Sequence, residues 1–242
     1  MNANIELAQD ERIAKAIADH KNQIPWRRKH VQRFVKRVFD VIAAAPLLLL
    51  LSPVMMMVGV LVRVTSKGLV LLAQTRIGLD GVPYRMYKFR SMVADSPDGF
   101  AEGSGEVTGS DERLTPIGGW LRAWRLDELP QLVHVLSGKM SLVGPRPDIP
   151  INLDFYTPEQ MLRFAMPPGC TAWTFTRGVF QNDWSTRQDI NVDYVRRWSL
   201  WLDVKILVGT LVVLLAQKNT VPESNAVPRS RALSPGVAEG RE

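Results

Sequence analysis

The stretch Val38–Val62 is almost wholly apolar and carries a single early acid, Asp40. It exceeds the ~20 residues an α-helix needs to reach across the hydrocarbon of a bilayer. A core helix so long and so uniformly apolar would be out of scale in a chain of 242 residues, so the segment reads as membrane-embedded. Two features argue against a simple crossing. Ser52-Pro53 sits mid-segment, where proline removes a helical hydrogen bond and bends the chain. Both flanks are also basic: Lys36 and Arg37 precede the run, and Arg63, Lys67, Arg76, Arg85, Lys88 and Arg90 follow it. Basic flanks favour the cytoplasm on both sides, which one crossing cannot give. A helix bent at Ser52-Pro53 that dips in and returns satisfies both.

Lysine and arginine number 30 against 24 acids, a formal charge of +6 with a pI near 9.7. Such a balance suits nucleic acid, an anionic membrane face or phosphorylated substrates. The basic run Lys21, Arg27, Arg28, Lys29, Arg33, Lys36, Arg37 leads straight into the apolar segment, so it is expected to anchor at lipid headgroups. The start of the chain lacks the basic-then-apolar form of a secretory signal. One cysteine, Cys170, rules out an intrachain disulfide and a CxxC knuckle. His20, His30 and His134 have no zinc-type spacing, and His134 is expected on a helix surface or partly packed. No Asp-x-Asp, GxGxxG or Walker loop is present.

Polar chemistry concentrates in Leu121–Pro147, LRAWRLDELPQLVHVLSGKMSLVGPRP. Asp127 and Glu128 open an amphipathic helix in which Leu129, Leu132, Val133 and Leu136 share helical spacing and Gly138 is the stop. Pro130 fits the first turn. Arg122 and Arg125 lie just upstream, and Arg146 sits in the turn Val143–Pro147. A helix start, two acids and several guanidinium groups suit a phosphate ester with a divalent metal. A plainer reading is that Asp127 caps the helix and Glu128 complements its dipole.

Elsewhere, Met1–His20 has loose helical periodicity. Val70–Leu72 and Tyr84–Phe89 read as strands around the turn Leu79-Asp80-Gly81. Lys88 and Arg90, at period two, would share a strand face, either an anion surface or a solvated one. Asp95–Glu112 reads as a mobile loop. Pro150–Met166 reads as helical around Phe155–Phe164, after a cap signal at Thr157-Pro158. Asp193–Ala216 reads as a helix lying at the membrane interface, with Trp198 and Trp201 flanking Asp203 and Lys205. The polar tail beyond Gln217 reads as disordered.

LDELPQL at Leu126–Leu132 and MSLVGPRP at Met140–Pro147 together resemble the signature of the bacterial sugar transferases, the monotopic phosphoglycosyl transferases. KRVFD (Lys36–Asp40), QTRIG (Gln74–Gly78), YKFRSM (Tyr87–Met92) and PPGCTAW (Pro167–Trp173) resemble further motifs of that family, and the likeness runs from about Lys36 to about Thr220. It implies an α+β, helix-rich fold: a re-entrant membrane helix-hairpin, interfacial amphipathic helices and a small cytosolic catalytic domain. The expected division is a basic extension over 1–35, the re-entrant helix over 36–63, the catalytic domain over 64–220 and a tail over 221–242. The implied reaction moves a sugar-1-phosphate from a UDP-sugar to undecaprenyl phosphate, releasing UMP, at the cytosolic face of a bacterial inner membrane. Asp127 would be the nucleophile and Glu128 the Mg²⁺ ligand, with Arg122, Arg146, Lys88, Arg90 and Gln131 toward phosphate and substrate.

Three departures stand out. Pro46 is an additional proline, expected to shift or soften the bend. Arg125 stands where the family often has serine or threonine. After Trp173 the family usually shows Gln-Val-Asn-Gly-Arg, whereas Phe175, Thr176, Arg177, Gly178 and Val179 stand here, which bears on the choice of sugar donor. Membrane lipids are expected partners, nucleic acid is not, and homo-oligomerisation is left open. Two rivals remain. Salt-sensitive DNA binding would favour a membrane-tethered nucleic-acid-binding protein, and failure to release UMP would favour a silent scaffold.

Overall fold

A computed structural model describes residues 11–93, 114–178 and 184–216. The expected loop Asp95–Glu112, residue Val179 and the tail beyond Gln217 lie outside them. The described part is helix-rich, with two small sheet pieces. Chain order runs α1 (Glu11–Asp19), α2 (Pro25–Arg28), α3 (His30–Thr65), β1 (Leu71–Ile77), β2 (Pro83–Phe89), α4 (Gly118–Ala123), α5 (Leu132–Leu136), β3 (Ser141–Val143), β4 (Gly169–Thr171), α6 (Trp173–Thr176), α7 (Trp184–Arg197) and α8 (Leu200–Leu215).

The apolar run lies within α3, which begins ahead of Lys36 and continues through Pro46 and Pro53. Pro53 cannot donate to the carbonyl four residues back, that of Leu49. Ser52 Oγ donates to that oxygen instead, at 2.8 Å, so the acceptor keeps a partner. Three polar side chains at the start of α3 tie it to the rest of the chain. Lys36 Nζ donates to Asp203 Oδ2 of α8 at 2.7 Å, Arg37 donates to the carbonyls of Val135 and Leu136, and Asp40 Oδ1 accepts the Leu142 N–H at 3.0 Å. The other end is held by packing, with Val58 and Val62 against Phe89 and Leu121. The opposite face is exposed and apolar, with Phe34, Leu49, Leu50, Met56 and Val60 on it.

Most of the basic run also has partners within the protein, while Lys21 and Arg28 are exposed. Besides Lys36 and Arg37, Arg27 pairs with Asp80, Lys29 donates to the Trp198 carbonyl, and Arg33 lies over the Trp26 ring. A long basic side chain gains more from a fixed carboxylate or carbonyl in a half-buried setting than from a screened surface.

The β1–β2 hairpin forms as read, with longer strands than read, antiparallel from Leu71↔Phe89 to Ile77↔Pro83. Its turn uses left-handed backbone at Asp80 (φ 58) and Gly81 (φ 80), which these two residue types tolerate. The acid-bearing helix is not one α-helix. Leu126–Gln131 is 3₁₀ and α-helical geometry sets in only at Leu132. Pro130 has no N–H to donate to the Leu126 carbonyl, which excludes one α-type bond just there. Gly138, at φ 81, ends the element as expected.

Strands β3 and β4 pair in parallel, Ser141 with Gly169 and Val143 with Thr171. Their backbones approach so closely that a Cβ on Gly144 would lie 2.4 Å from the Pro167 carbonyl oxygen, and one on Gly169 2.1 Å from the Gly144 nitrogen. Only glycine fits there. The helix read around Phe155–Phe164 is instead two 3₁₀ segments, Pro150–Phe155 and Gln160–Ala165. The Thr157 signal is real. The Gln160 N–H donates to Thr157 Oγ1 (3.2 Å) while the Thr157 N–H donates to Gln160 Oε1 (3.3 Å), a reciprocal cap.

Asp193–Ala216 is likewise not one helix. The chain breaks at Trp198-Ser199, and Ser199 Oγ caps α8 by accepting the Leu202 N–H. Trp198 is fully buried edge-on to Trp26, with its Nε1 donating to Asp203, so only Trp201 keeps the exposed place expected of both tryptophans. Asp203 also accepts from Tyr194 at 2.6 Å. This buried carboxylate thus joins α3, α7 and α8.

Candidate active site

The hairpin, the 3₁₀ turn and the turn after β3 converge on Glu128. Lys88, near the end of β2, donates its Nζ to Glu128 Oε1 at 3.0 Å. Arg146 Nη2 lies 3.6 Å from the same oxygen, and Arg125 Nη1 lies 3.5 Å from Oε2. Asp127, one residue earlier, is 6% exposed. Arg122, in the last turn of α4, and Arg125 are close enough to stabilise its charge. Gln131 is buried and lines, with Glu128 and Arg146, two adjoining cavities.

The two acids are driven apart electrostatically. Burial first, and then the neighbouring Glu128 charge, push Asp127 up from 3.8 to about 6, against the pull of Lys88, Arg122 and Arg125. Burial acts on Glu128 in the same sense, but Lys88, Arg146 and Arg125 outweigh it and hold this carboxyl well below the usual range. Glu128 is therefore a fixed anion. Asp127 is an ionisable group near neutrality, a pattern common where carboxylates do chemistry.

Arg146 owes its placement to a polar cluster that motif reading missed. Its N–H donates to Asn191 Oδ1 at 3.2 Å, and its carbonyl accepts from Arg163. Arg163 in turn pairs with Asp148 at 3.3 Å and meets Tyr156 and Gln188. Only the QTRIG arginine gave a sequence hint of this support. Arg76 is buried and donates to Gln74 Oε1 at 2.6 Å and to the Pro147 carbonyl.

Arg90 is not brought to the pair. It is 2% exposed, and its guanidinium grips the carbonyls of Lys67 and Leu69 on either side of Gly68. Strand β2 ends at Phe89, so period-two alternation with Lys88 no longer holds at Arg90. Of the two places expected for His134, the packed one holds, and more fully than expected. It is buried and stacked on Tyr87, and its Nε2 accepts the Tyr87 N–H at 3.0 Å, which puts its proton on Nδ1. Conversely, Arg125 belongs to the site although it departs from the family pattern. It holds a left-handed backbone (φ 57) that ordinary side chains avoid, and its guanidinium covers the Phe175 ring at 4.8 Å.

Among the described residues no group of three or more His, Cys, Asp or Glu could hold a metal on protein ligands alone. Magnesium does not need one, because it takes most of its six oxygens from phosphate and water and only one or two from carboxylates. Glu128 fits that share. It is held ionised, lines the cavities, and its Oε2 meets Arg125 only at 3.5 Å, longer than a close charge-assisted hydrogen bond.

Relatives of the chain carry the same kind of name. A UDP-glucose:undecaprenyl-phosphate glucose-1-phosphate transferase of Escherichia coli is 38% identical over 190 residues, covering 75% of this chain and 40% of that protein. A protein of the same name from Caulobacter vibrioides is 40% identical over 194 residues, 76% of this chain and 71% of the relative. A UDP-N-acetylgalactosamine-undecaprenyl-phosphate N-acetylgalactosaminephosphotransferase of Aeromonas hydrophila is 36% identical over 203 residues, 81% of this chain and 47% of the relative. The chain thus spans less than half the length of the first and third. Residues 31–217, which hold α3, the acid pair and α8, match the bacterial sugar transferase family throughout, and the chain belongs to that family.

Proposed function

We propose that this protein is a membrane-bound phosphoglycosyl transferase that moves a sugar-1-phosphate from a UDP-sugar to undecaprenyl phosphate and so starts a polysaccharide repeat unit. The observation that carries this reading is the convergence of Lys88, Arg125 and Arg146 on the half-buried Glu128, next to the buried Asp127 with Arg122 nearby. The names of the relatives supply the substrate classes.

Asp127 attacks the phosphorus that bears the sugar, and the bond from that phosphorus to the bridging oxygen breaks, so UMP leaves with the electron pair. The product is an aspartyl-phosphosugar. An oxygen of the lipid phosphate then attacks the same phosphorus, the acyl–phosphate bond breaks, and the Asp127 carboxylate returns. No net proton is needed in either step. Arg122 and Arg146 bind phosphate oxygens, Lys88 fixes Glu128, and Gln131 lies in the cavity wall within the acid-bearing turn. Mg²⁺ on Glu128, when bound, supplies positive charge to the pyrophosphate.

Membrane placement is supported by α3, which is long and apolar enough to cross a bilayer. Both of its ends pack on the same domain, at Lys36 to Asp40 and at Val58 to Val62. A re-entrant helix at the cytosolic face of the inner membrane satisfies this, since a straight crossing would carry one end away. A dyad fixed at that face meets a lipid phosphate at headgroup depth. The test is UMP release by purified protein from a panel of UDP-sugars with undecaprenyl phosphate. UMP from one or more donors is expected, and none from any donor would refute the assignment.

A further inference from the structure

Resting on that reading, we propose that Arg125 and Arg146 receive the phosphate of the polyprenyl acceptor at the mouth of a cavity between α3 and α8, whose leucines take its first isoprenoid units. The cavity measures about 250 Å³. Its charged part is a single cluster, because Arg125 and Arg146 both lie within ion-pair distance of Glu128. The remaining wall is largely apolar, with Leu47 and Leu51 of α3, Leu214 of α8, and Leu129 and Leu132 of the acid-bearing turn. A nucleotide sugar has only the faces of its base and sugar rings to offer such a wall, and no aliphatic chain to fill it. A phosphate ester of a branched hydrocarbon matches both parts.

The two helices that form the wall also expose apolar residues on their outer faces, Leu50 on α3 and Leu215 on α8 among them. A lipid tail can therefore pass from the bilayer into the cavity without crossing a polar barrier. The volume falls below the ~300–1,000 Å³ of pockets that enclose a drug-sized ligand. Only the head end of a long prenyl chain fits, and the rest stays in the membrane along α3 and α8. The α8 wall is fixed by a Thr171–Thr210 hydroxyl contact of 2.7 Å. Arg125 is set by its left-handed backbone and by the Phe175 ring beneath its guanidinium. Phe175 lines the cavity too, so two departures from the family pattern meet at this site.

Cys170, the single cysteine, also lines the cavity; burial pushes its thiol up, so it reacts slowly and serves as a reporter followed over hours at alkaline pH. In purified full-length protein in detergent, undecaprenyl phosphate should slow modification of Cys170 by methyl methanethiosulfonate, read by intact mass. Undecaprenol and inorganic phosphate should each slow it less, which separates lipid phosphate from a free anion. In steady state, Arg125→Asn and Leu214→Trp should each raise KM for undecaprenyl phosphate by about tenfold or more, and Leu214→Trp should leave KM for the UDP-sugar within about twofold. Asn is chosen because it tolerates the left-handed backbone. Val82→Trp, exposed in the turn between β1 and β2 and outside both helices, is the control and should leave KM for the lipid in place. UMP release with unprotected Cys170 and an unmoved lipid KM would overturn the cavity assignment and leave the reaction standing. Protection of Cys170 without UMP release from any UDP-sugar would keep the lipid site and overturn the reaction.

Discussion

Lys88 Nζ donates to Glu128 Oε1 across 3.0 Å and links the second strand of the hairpin to the acid pair. Removing the amine leaves a half-buried carboxylate with more distant partners only, a loss of about 1.5–3 kcal/mol for a charged hydrogen bond. Lys88→Met should therefore lower UMP-release activity by at least tenfold. Arg90→Met should act differently, lowering the melting temperature while leaving KM for the UDP-sugar within about twofold, because its guanidinium serves carbonyls away from the pair. Activity and thermal melting of the two variants check the distinction.

Asp127 gives a pH dependence whose sign is fixed. Its pKa in the folded protein is raised from 3.8 to about 6, so between these values the folded state holds a proton that the unfolded state has lost. Stability contributed by this group then falls as pH rises through that window. Asp127→Asn should flatten the fall and melt higher than wild type at pH 7.5, by up to about 3 kcal/mol, while losing all turnover. Wild-type UMP release should rise with pH through an apparent pKa near 6, since only the carboxylate attacks. Melting curves and rates over pH 5–8 measure both.

Lys36 and Asp203 form a buried pair at 2.7 Å with side chains 4% and 8% exposed. Lys36→Met strands a carboxylate that α3, α7 and α8 share, and should cost about 3–5 kcal/mol. The melting temperature in detergent should drop sharply. A drop no larger than that of an exposed variant such as Lys205→Met would show that the pair is not what joins these helices.

The sequence made some of this legible and hid the rest for physical reasons. Length and uniform apolarity marked α3, and the strand–turn–strand pattern around Asp80-Gly81 marked the hairpin, because both signals are local. The acid pair was visible as a motif, but the cations that separate its two members come from β2, from the residue before the 3₁₀ turn and from the loop after β3. Tertiary contacts also reassigned Trp198 and Arg90, whose residue types suggested interface and substrate. Lys36 and Arg37 read as headgroup anchors because charge run and membrane flank look alike in one dimension. The partners that claim them, Asp203 and the carbonyls of Val135 and Leu136, lie far along the chain.

Topology is open to a labelling test in cells. Single cysteines near Gln23 and near Ser66, in a Cys170→Ser background, flank α3 on either side. Both should resist a membrane-impermeant thiol reagent added outside, and both should react after permeabilisation. Pro53→Leu together with Ser52→Ala removes the bend signal and the hydroxyl that serves the Leu49 carbonyl, and should expose one of the two sites to the outside reagent. Labelling of one end only in the unaltered helix would establish a simple crossing.

In the proposed reaction Asp127 carries the phosphosugar between the two displacements. The most direct measurement omits the lipid acceptor. Purified protein with Mg²⁺ and its UDP-sugar, but no polyprenyl phosphate, should release UMP as a burst no larger than one equivalent of enzyme. The peptide containing Asp127 should gain the mass of the sugar phosphate under mild acid quench, and Asp127→Asn should abolish both signals. A wild-type enzyme that turns over with lipid present, yet gives neither burst nor labelled peptide without it, would rule out the covalent intermediate and point to direct attack by the lipid phosphate.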